Sequence, residues 1–254
     1  MAVPASLAGQ LSQRTKELRA PSIHIPPFAY TYGKTDRKKT VRRESLNYDA
    51  NIPFLHETTR YIQIDQPNSA ATRRFNAGMQ RWRKDSLEAT YGDAARPGDS
   101  FKGYDGGGTL SIRQSVVSAS AEMASVVSNS DAYWGGAHPI EFAQFRHWSF
   151  RLSRFLGTNE ILRSSHDTRL IGLVRSHWQG AETGMSMKGC AQQISEASTD
   201  RASIDPKGIT FWMIDRPCIG KSALTWTELQ PFLTSHLPFN PQKLQANAQT
   251  ELPF

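Results

Sequence analysis

Two β-prone runs, residues 110–127 and 140–152, stand on either side of the heptapeptide Tyr133-Trp134-Gly135-Gly136-Ala137-His138-Pro139. This arrangement constrains the fold more than any other feature of the chain. Consecutive glycines reach backbone angles closed to residues with a Cβ, so the chain can turn tightly there. Pro139 then fixes φ as the next run begins. The result is an aromatic pair and an imidazole carried on a shaped loop. Two readings stay open at this point. The loop is either a hairpin connection with a packed Tyr and Trp, or a recognition loop whose binding set is Tyr133, Trp134, Gly135, Gly136, Ala137 and His138.

The second run alternates, with Ile140, Phe142, Gln144, Arg146, Trp148, Phe150 and Leu152 on one face. That face is apolar at both ends and polar in the middle, so Gln144 and Arg146 are either partnered inside or placed at a bulge. Upstream, residues 46–55 and 61–64 read as short strands. Asn68 or Ser69 then caps a helix in which Ala71, Phe75, Met79 and Trp82 recur at helical spacing, a stripe that calls for core packing. Ser164 or Ser165 caps a second helix, with Leu170, Leu173, Val174 and His177 on one face. His177 fits a helix-end packing role there. Residues 208–214 form the next strand, and Thr225-Trp-Thr-Glu228 matches a capping box.

The order strand–strand–helix–strand–strand–strand–helix–strand–helix, with hairpin-length links, predicts an α+β fold: an antiparallel sheet with helices packed on one side. The expected organisation is an N-terminal extension over residues 1–43, one domain over 44–236, and a C-terminal tail over 237–254. Within the extension, a short helix near residues 7–18 or a plain tail precedes a break at Pro26-Pro27. The basic run at residues 34–43 reads as solvated surface.

Composition narrows the partners. A formal net charge of +7 favours polyanionic or acidic surfaces. The charge is not gathered into one tract with interleaved aromatics, which argues against nucleic acid. Cys190 and Cys218 are the only cysteines, and they form either one disulfide in an oxidising compartment or two thiols. No apolar run approaches the roughly 20 residues of a membrane span. The N-terminus lacks a basic start and a long apolar core, so an exported form has already lost its signal peptide.

Motifs for chemistry are few. Cys218-Ile-Gly-Lys221-Ser222 lacks the first glycine of a phosphate loop, and Asp215 stands in its place. The run Gly106-Gly107-Gly108 has no strand-turn-helix setting. The seven histidines are scattered, so neither a metal site nor a cofactor is expected. Asp131 and His138 meet across their loop only if the turn brings them together.

Tyr-x-Gly-Gly-Ala-His at residues 133–138, preceded by a strand rich in small residues and valine, resembles the central motif of a known extracytoplasmic domain. So does Ile64-Asp65-Gln66-Pro67 followed by Phe75-Asn76-x-x-Met79. That domain, of unknown function, occurs in the lysozyme-sensing anti-sigma factor RsiV and beside the catalytic domain of the peptidoglycan deacetylase PdaC. The resemblance spans about residues 44–233 and implies a non-enzymatic extracytoplasmic module, periplasmic or secreted. Its implied partner is a lysozyme-like envelope enzyme or a cell-wall polymer. A hydrolase of wall glycan or peptide, and an effector or immunity-type interaction protein, are the alternatives.

Overall fold

The computed structural model describes residues 23–25, 27–45, 48–94, 108–133, 140–181, 187–214 and 218–247. Helix α1 (Ala70–Ala94) begins where a cap is available: the Ser69 hydroxyl accepts the Thr72 amide at 3.1 Å. Phe75, Met79 and Trp82 are fully buried on its inner face, while Ala71 is half-buried. Gly78 lets the sheet come close, since a Cβ there would stand 2.6 Å from the Trp148 ring.

That sheet has eight strands. It runs β1 (Ile23–Ile25), β2 (Phe28–Ser45), β3 (Tyr48–Ile64), β4 (Gly108–Ala119), β5 (Met123–Tyr133), β6 (Ile140–Ser149) and β7 (Arg154–Phe155). Every pair is antiparallel except β3 with β4, which run parallel. The reason is α1, because a connection that carries a helix can return the chain in its starting direction. Beyond the parallel ladder, side chains continue the pairing of β3. Gln114, fully buried, accepts from the Ile62 amide at 3.3 Å. Asn76 accepts from the Ile64 amide at 2.7 Å and donates to its carbonyl at 3.1 Å.

Described residues within the expected extension and tail take part in this sheet. Ile25 and Tyr30 are core residues, and the basic run lies within β2, paired to β3. At the other end Phe239 and Leu244 are buried, and β12 (Gln245–Ala246) pairs with β4 at Ser118 and Ala119. Charge and proline density concealed both segments, because strand pairing runs through the backbone and leaves side-chain composition free. The helix and plain-tail readings of residues 1–22 lie outside the described residues.

The sheet is covered on both faces. Val116, Val126 and Trp148 pack toward α1, whereas Val117, Val127 and Phe145 pack on Trp212. Alternation along a strand sends such neighbours to opposite sides. A register shift between Val116 and Ser118 turns both Val117 and Ser118 away from α1. On that side lies a second, four-stranded antiparallel sheet, β8 (Trp178–Ala181), β11 (Ile219–Thr225), β10 (Gly208–Met213) and β9 (Ala202–Ile204), in that spatial order. Its outer layer includes α2 (Thr168–Ser176), α3 (Met187–Gln192) and α4 (Trp226–Leu229).

The small residues of β4 and β5 let β9 approach. The Ser118 hydroxyl donates to the Ile204 carbonyl, and the Ser125 hydroxyl accepts the Ile204 amide at 3.2 Å. Within the second sheet, Trp178 lies over Gly180 and Gly220, where a Cβ would meet its ring at 2.8 and 2.4 Å. A disulfide joins Cys190 on α3 to Cys218 ahead of β11, with Cα atoms 5.3 Å apart. The cap of α2 is Asp167, whose carboxylate accepts from the Arg169 and Leu170 amides, in place of the expected Ser164 or Ser165. The expected Thr225–Glu228 capping box forms at α4.

Candidate functional site

β6 is the strand on which the chemistry converges. Its register to β5 begins at Ile140, directly after the glycine loop. Of the six residues proposed for recognition, Tyr133 ends β5, half-buried and opposite Thr109. Trp134, Gly135, Gly136, Ala137 and His138 lie outside the described residues, as do Gly106 and Gly107. Asp131 is held by Arg113, with a nitrogen–oxygen distance of 2.9 Å. Its carboxylate therefore already has a cationic partner.

The polar middle of β6 has a direct explanation. Gln144 accepts from the Trp82 indole N–H at 3.3 Å. The Arg146 guanidinium sits 5.3 Å from the Trp82 ring centre and 5.1 Å from that of Phe155. Ring faces carry partial negative charge and hold a cation there. Leu152, expected to continue this face, instead lies in the turn at residues 151–153 and is exposed. Ser153 adopts a left-handed φ of 54° in that turn.

The opposite face of β6 is the more buried one, a fact the alternation alone did not reveal. Ala143, Phe145, His147 and Ser149 all point to the second sheet and are buried. Phe145 stacks on Trp212 with centroids 6.1 Å apart, and the Trp212 indole N–H donates to the Ser203 hydroxyl at 3.1 Å. His147 lies 3.1 Å from the Thr199 carbonyl through Nε2. Burial pulls its pKa down to about 4, with hydrogen bonds to the Thr199 and Ala202 backbone acting in the opposite sense.

Along the outer edge of β6 runs a cleft of about 470 Å³. One wall is Phe155, Leu156 and Gly157, and the other is Asp200, Arg201 and Ile214. Phe142 stands at its mouth, 40% exposed. Volume and mixed lining fit the range of ligand sites. The lining offers apolar rings, two guanidiniums and the Asp200 carboxylate, a set suited to grip a partly acidic surface. Near one end, Arg154 and Glu160 pair at 2.7 Å, and that contact lowers the Glu160 pKa.

The other motifs resolve into structural roles. His177 is the C-cap residue of α2, with Nε2 3.0 Å from Glu228 and Nδ1 3.1 Å from the Leu173 carbonyl. The adjacent Ser176 hydroxyl donates to the same Leu173 carbonyl at 2.8 Å. Lys221 and Ser222 belong to a strand, not to a phosphate loop, and Lys221 lies 5.4 Å from the Trp212 ring centre. Among the described residues no three His, Cys, Asp or Glu side chains converge as metal ligands. No helix among them is long and apolar enough to cross a membrane.

Comparison with known proteins bears on the fold. No family model matches the sequence, and no curated protein matches it. A crystal structure of a member of the DUF3298 family from Bacteroides fragilis is similar, with a TM-score of 0.54 at 13% identity, over 82% of this chain and 95% of that one. A DUF3298 family protein from Pseudomonas aeruginosa is also similar, with a TM-score of 0.49 at 9% identity, over 80% of this chain and 94% of that one. The first likeness identifies the fold as that of an uncharacterised domain family.

Proposed function

We propose that the chain is an extracytoplasmic binding domain that works through the β6 cleft and the loop at residues 133–138. The partner is a lytic enzyme of the cell envelope, lysozyme-like in activity, or an anionic wall polymer. The observation that carries this reading is the cleft itself, which aromatic rings and two arginines line beside β6. Aromatic and arginine anchors are the residues that dominate binding energetics at such surfaces. The Cys190–Cys218 disulfide supports an oxidising compartment. The motif likeness to the RsiV and PdaC domains supports an envelope role. A net charge of +7 favours an acidic enzyme or wall polymer over a basic lysozyme, since like charges slow encounter.

The test is capture from a cell-envelope extract on the immobilised protein, compared across two variants. Trp134→Ala is expected to weaken capture with the fold intact, and Gly136→Val to harm folding by forbidding the turn. If Trp134→Ala unfolds the protein while capture per folded molecule is unchanged, the loop is a structural corner. Release of soluble fragments from intact peptidoglycan by the purified protein would replace the binding reading with the hydrolase.

A further inference from the structure

We propose that the basic run of β2 is a second binding surface, which takes a linear anionic polymer of the cell envelope with phosphate or carboxylate on its repeat unit. This rests on the extracytoplasmic reading above and adds a site to it, since β3, β4 and β5 separate β2 from β6.

Residues 34–43 hold six cations, Lys34, Arg37, Lys38, Lys39, Arg42 and Arg43, and one acid, Asp36. These are six of the 30 basic and one of the 23 acidic residues, so without them the net charge of +7 falls to +2. Most of the net charge thus sits on a short stretch of one strand. Among the described residues, no strand pairs with the outer side of β2 beyond Tyr30, where the ladder to β1 ends. On the other side, β3 joins β4 only from Leu55, which is in register with Lys39. Residues 41–45 and 48–52 therefore run on past that ladder as a two-stranded ribbon.

Alternation places Lys34, Lys38 and Arg42 on the face shared by Tyr30 and Tyr32, and Arg37, Lys39 and Arg43 on the other. The register shift between Lys39 and Val41 adds its extra residue to β3, so the alternation of β2 is kept. On the first face Tyr32 is buried in the core under α1, whereas the Asp36 side chain is 54% exposed. The helix cover thus ends before the middle of the run. Asp36 is bonded across the ribbon to His56, itself 42% exposed, so the one acid of the run already has a partner. Cations at every second residue recur at about 6.6 Å along a strand. A linear polyanion laid along β2 meets one at successive repeat units, and arginine and lysine both hold phosphate or carboxylate. No aromatic ring stands among residues 34–43, so nucleic-acid bases find no stacking platform there. A flat lipid surface meets one face of a strand at a time, whereas a polymer can pass round its open side to use both.

The experiment titrates the folded, disulfide-bonded protein with poly(glycerol phosphate) and with polygalacturonate in a calorimeter, at about 50 and 200 mM NaCl. Binding to at least one polymer is expected, weakened about tenfold or more at the higher salt. The polymer that binds tells phosphate from carboxylate. A variant with Lys38→Gln, Lys39→Gln, Arg42→Gln and Arg43→Gln should bind about tenfold more weakly or worse, with a salt slope lower by about one per cation removed. The control carries Arg73→Gln, Arg74→Gln, Arg81→Gln and Lys84→Gln, four exposed cations of α1, and so has the same net charge. It should bind as the parent protein does. Where the β2 variant has a lower melting temperature, the pair Lys38→Gln and Arg42→Gln replaces it, with the same change in salt slope per cation. Equal loss in the β2 and α1 variants makes binding a matter of net charge and overturns the proposal. No binding to either polymer overturns it, as does tighter binding of single-stranded DNA or of phosphatidylglycerol vesicles. Extract capture that depends on Trp134 but survives the β2 variant, with neither polymer bound, overturns the β2 site and leaves the binding reading standing.

Discussion

The two faces of the eight-stranded sheet are covered by different means. Toward α1 the contacts are large rings: Phe75 meets Trp148 edge-on at 5.8 Å, and Phe28, Tyr30, Phe150 and Phe155 complete the layer. Toward the second sheet the contacting strands carry small residues, and two serine hydroxyls hold the backbone of Ile204. A helix satisfies its own amides and can be covered by apolar bulk alone. An edge strand such as β9 brings unpaired amides with it, so the surface it meets must supply hydrogen bonds. The helix-covered face is thus held chiefly by ring packing, and the sheet-covered face by apolar packing on Trp212 together with serine hydrogen bonds to Ile204. The Cys190–Cys218 crosslink lies within the second sheet's own layer.

Three measurements would break or sharpen that contrast. Phe75→Ala empties a fully buried site among rings and is expected to cost about 3–5 kcal/mol in chemical denaturation. An unchanged denaturation midpoint would mean that the ring layer is not what holds α1. Reducing Cys190–Cys218, whose partners are 28 residues apart, is expected to cost about 3–4 kcal/mol in the chain-entropy model. The loss should fall on the second sheet, with amide exchange in β10 and β11 rising ahead of that in β4 and β5. Uniform loss across both sheets would make the two faces one cooperative unit.

The smallest effect expected is at the seam, where His147 of β6 meets Thr199. Its folded pKa of about 4 lies below the ordinary 6.5, so the unfolded chain binds a proton that the fold excludes. Stability from this group is complete above pH 6.5 and is lost as the pH falls toward 4. The loss amounts to roughly 3 kcal/mol at most. His147→Gln should flatten the stability profile between those values, and an unaltered slope would show that other groups set the acid limit.

What the sequence disclosed follows the same division. Phe75, Met79 and Trp82 were legible because a helix repeats its buried side at fixed intervals. The Thr225–Glu228 cap and the Cys190–Cys218 pairing were also legible, as local chemistry with few alternatives. The parallel step from β3 to β4 was not legible, because an alternating strand pattern carries no direction. Nor was the second sheet, whose strands are short and whose docking surface reads as ordinary serine-rich strand. The cleft was legible only as an oddity, the polar Gln144 and Arg146 in an apolar run. Their partners Trp82 and Phe155 come from other elements. The Asn76 bonds to Ile64 give the motif at residues 64–79 a physical sense, since its strand end and its helix are tied by one amide side chain.

The closure of β4 also sets an order of events for the newly made chain. Its edge at Val116 and Val117 is occupied by Asn247, which bonds both carbonyls at 2.8 Å from 131 residues away at the farther end. Until residue 247 emerges, a partly synthesised chain shows a β-prone, valine-bearing edge that Asn247 has yet to cover. Such edges recruit other strands, including those of neighbouring copies. Residues 245–247 therefore act as a clasp, and a chain shortened just before Asn247 should accumulate as aggregate while its helix-covered face remains formable.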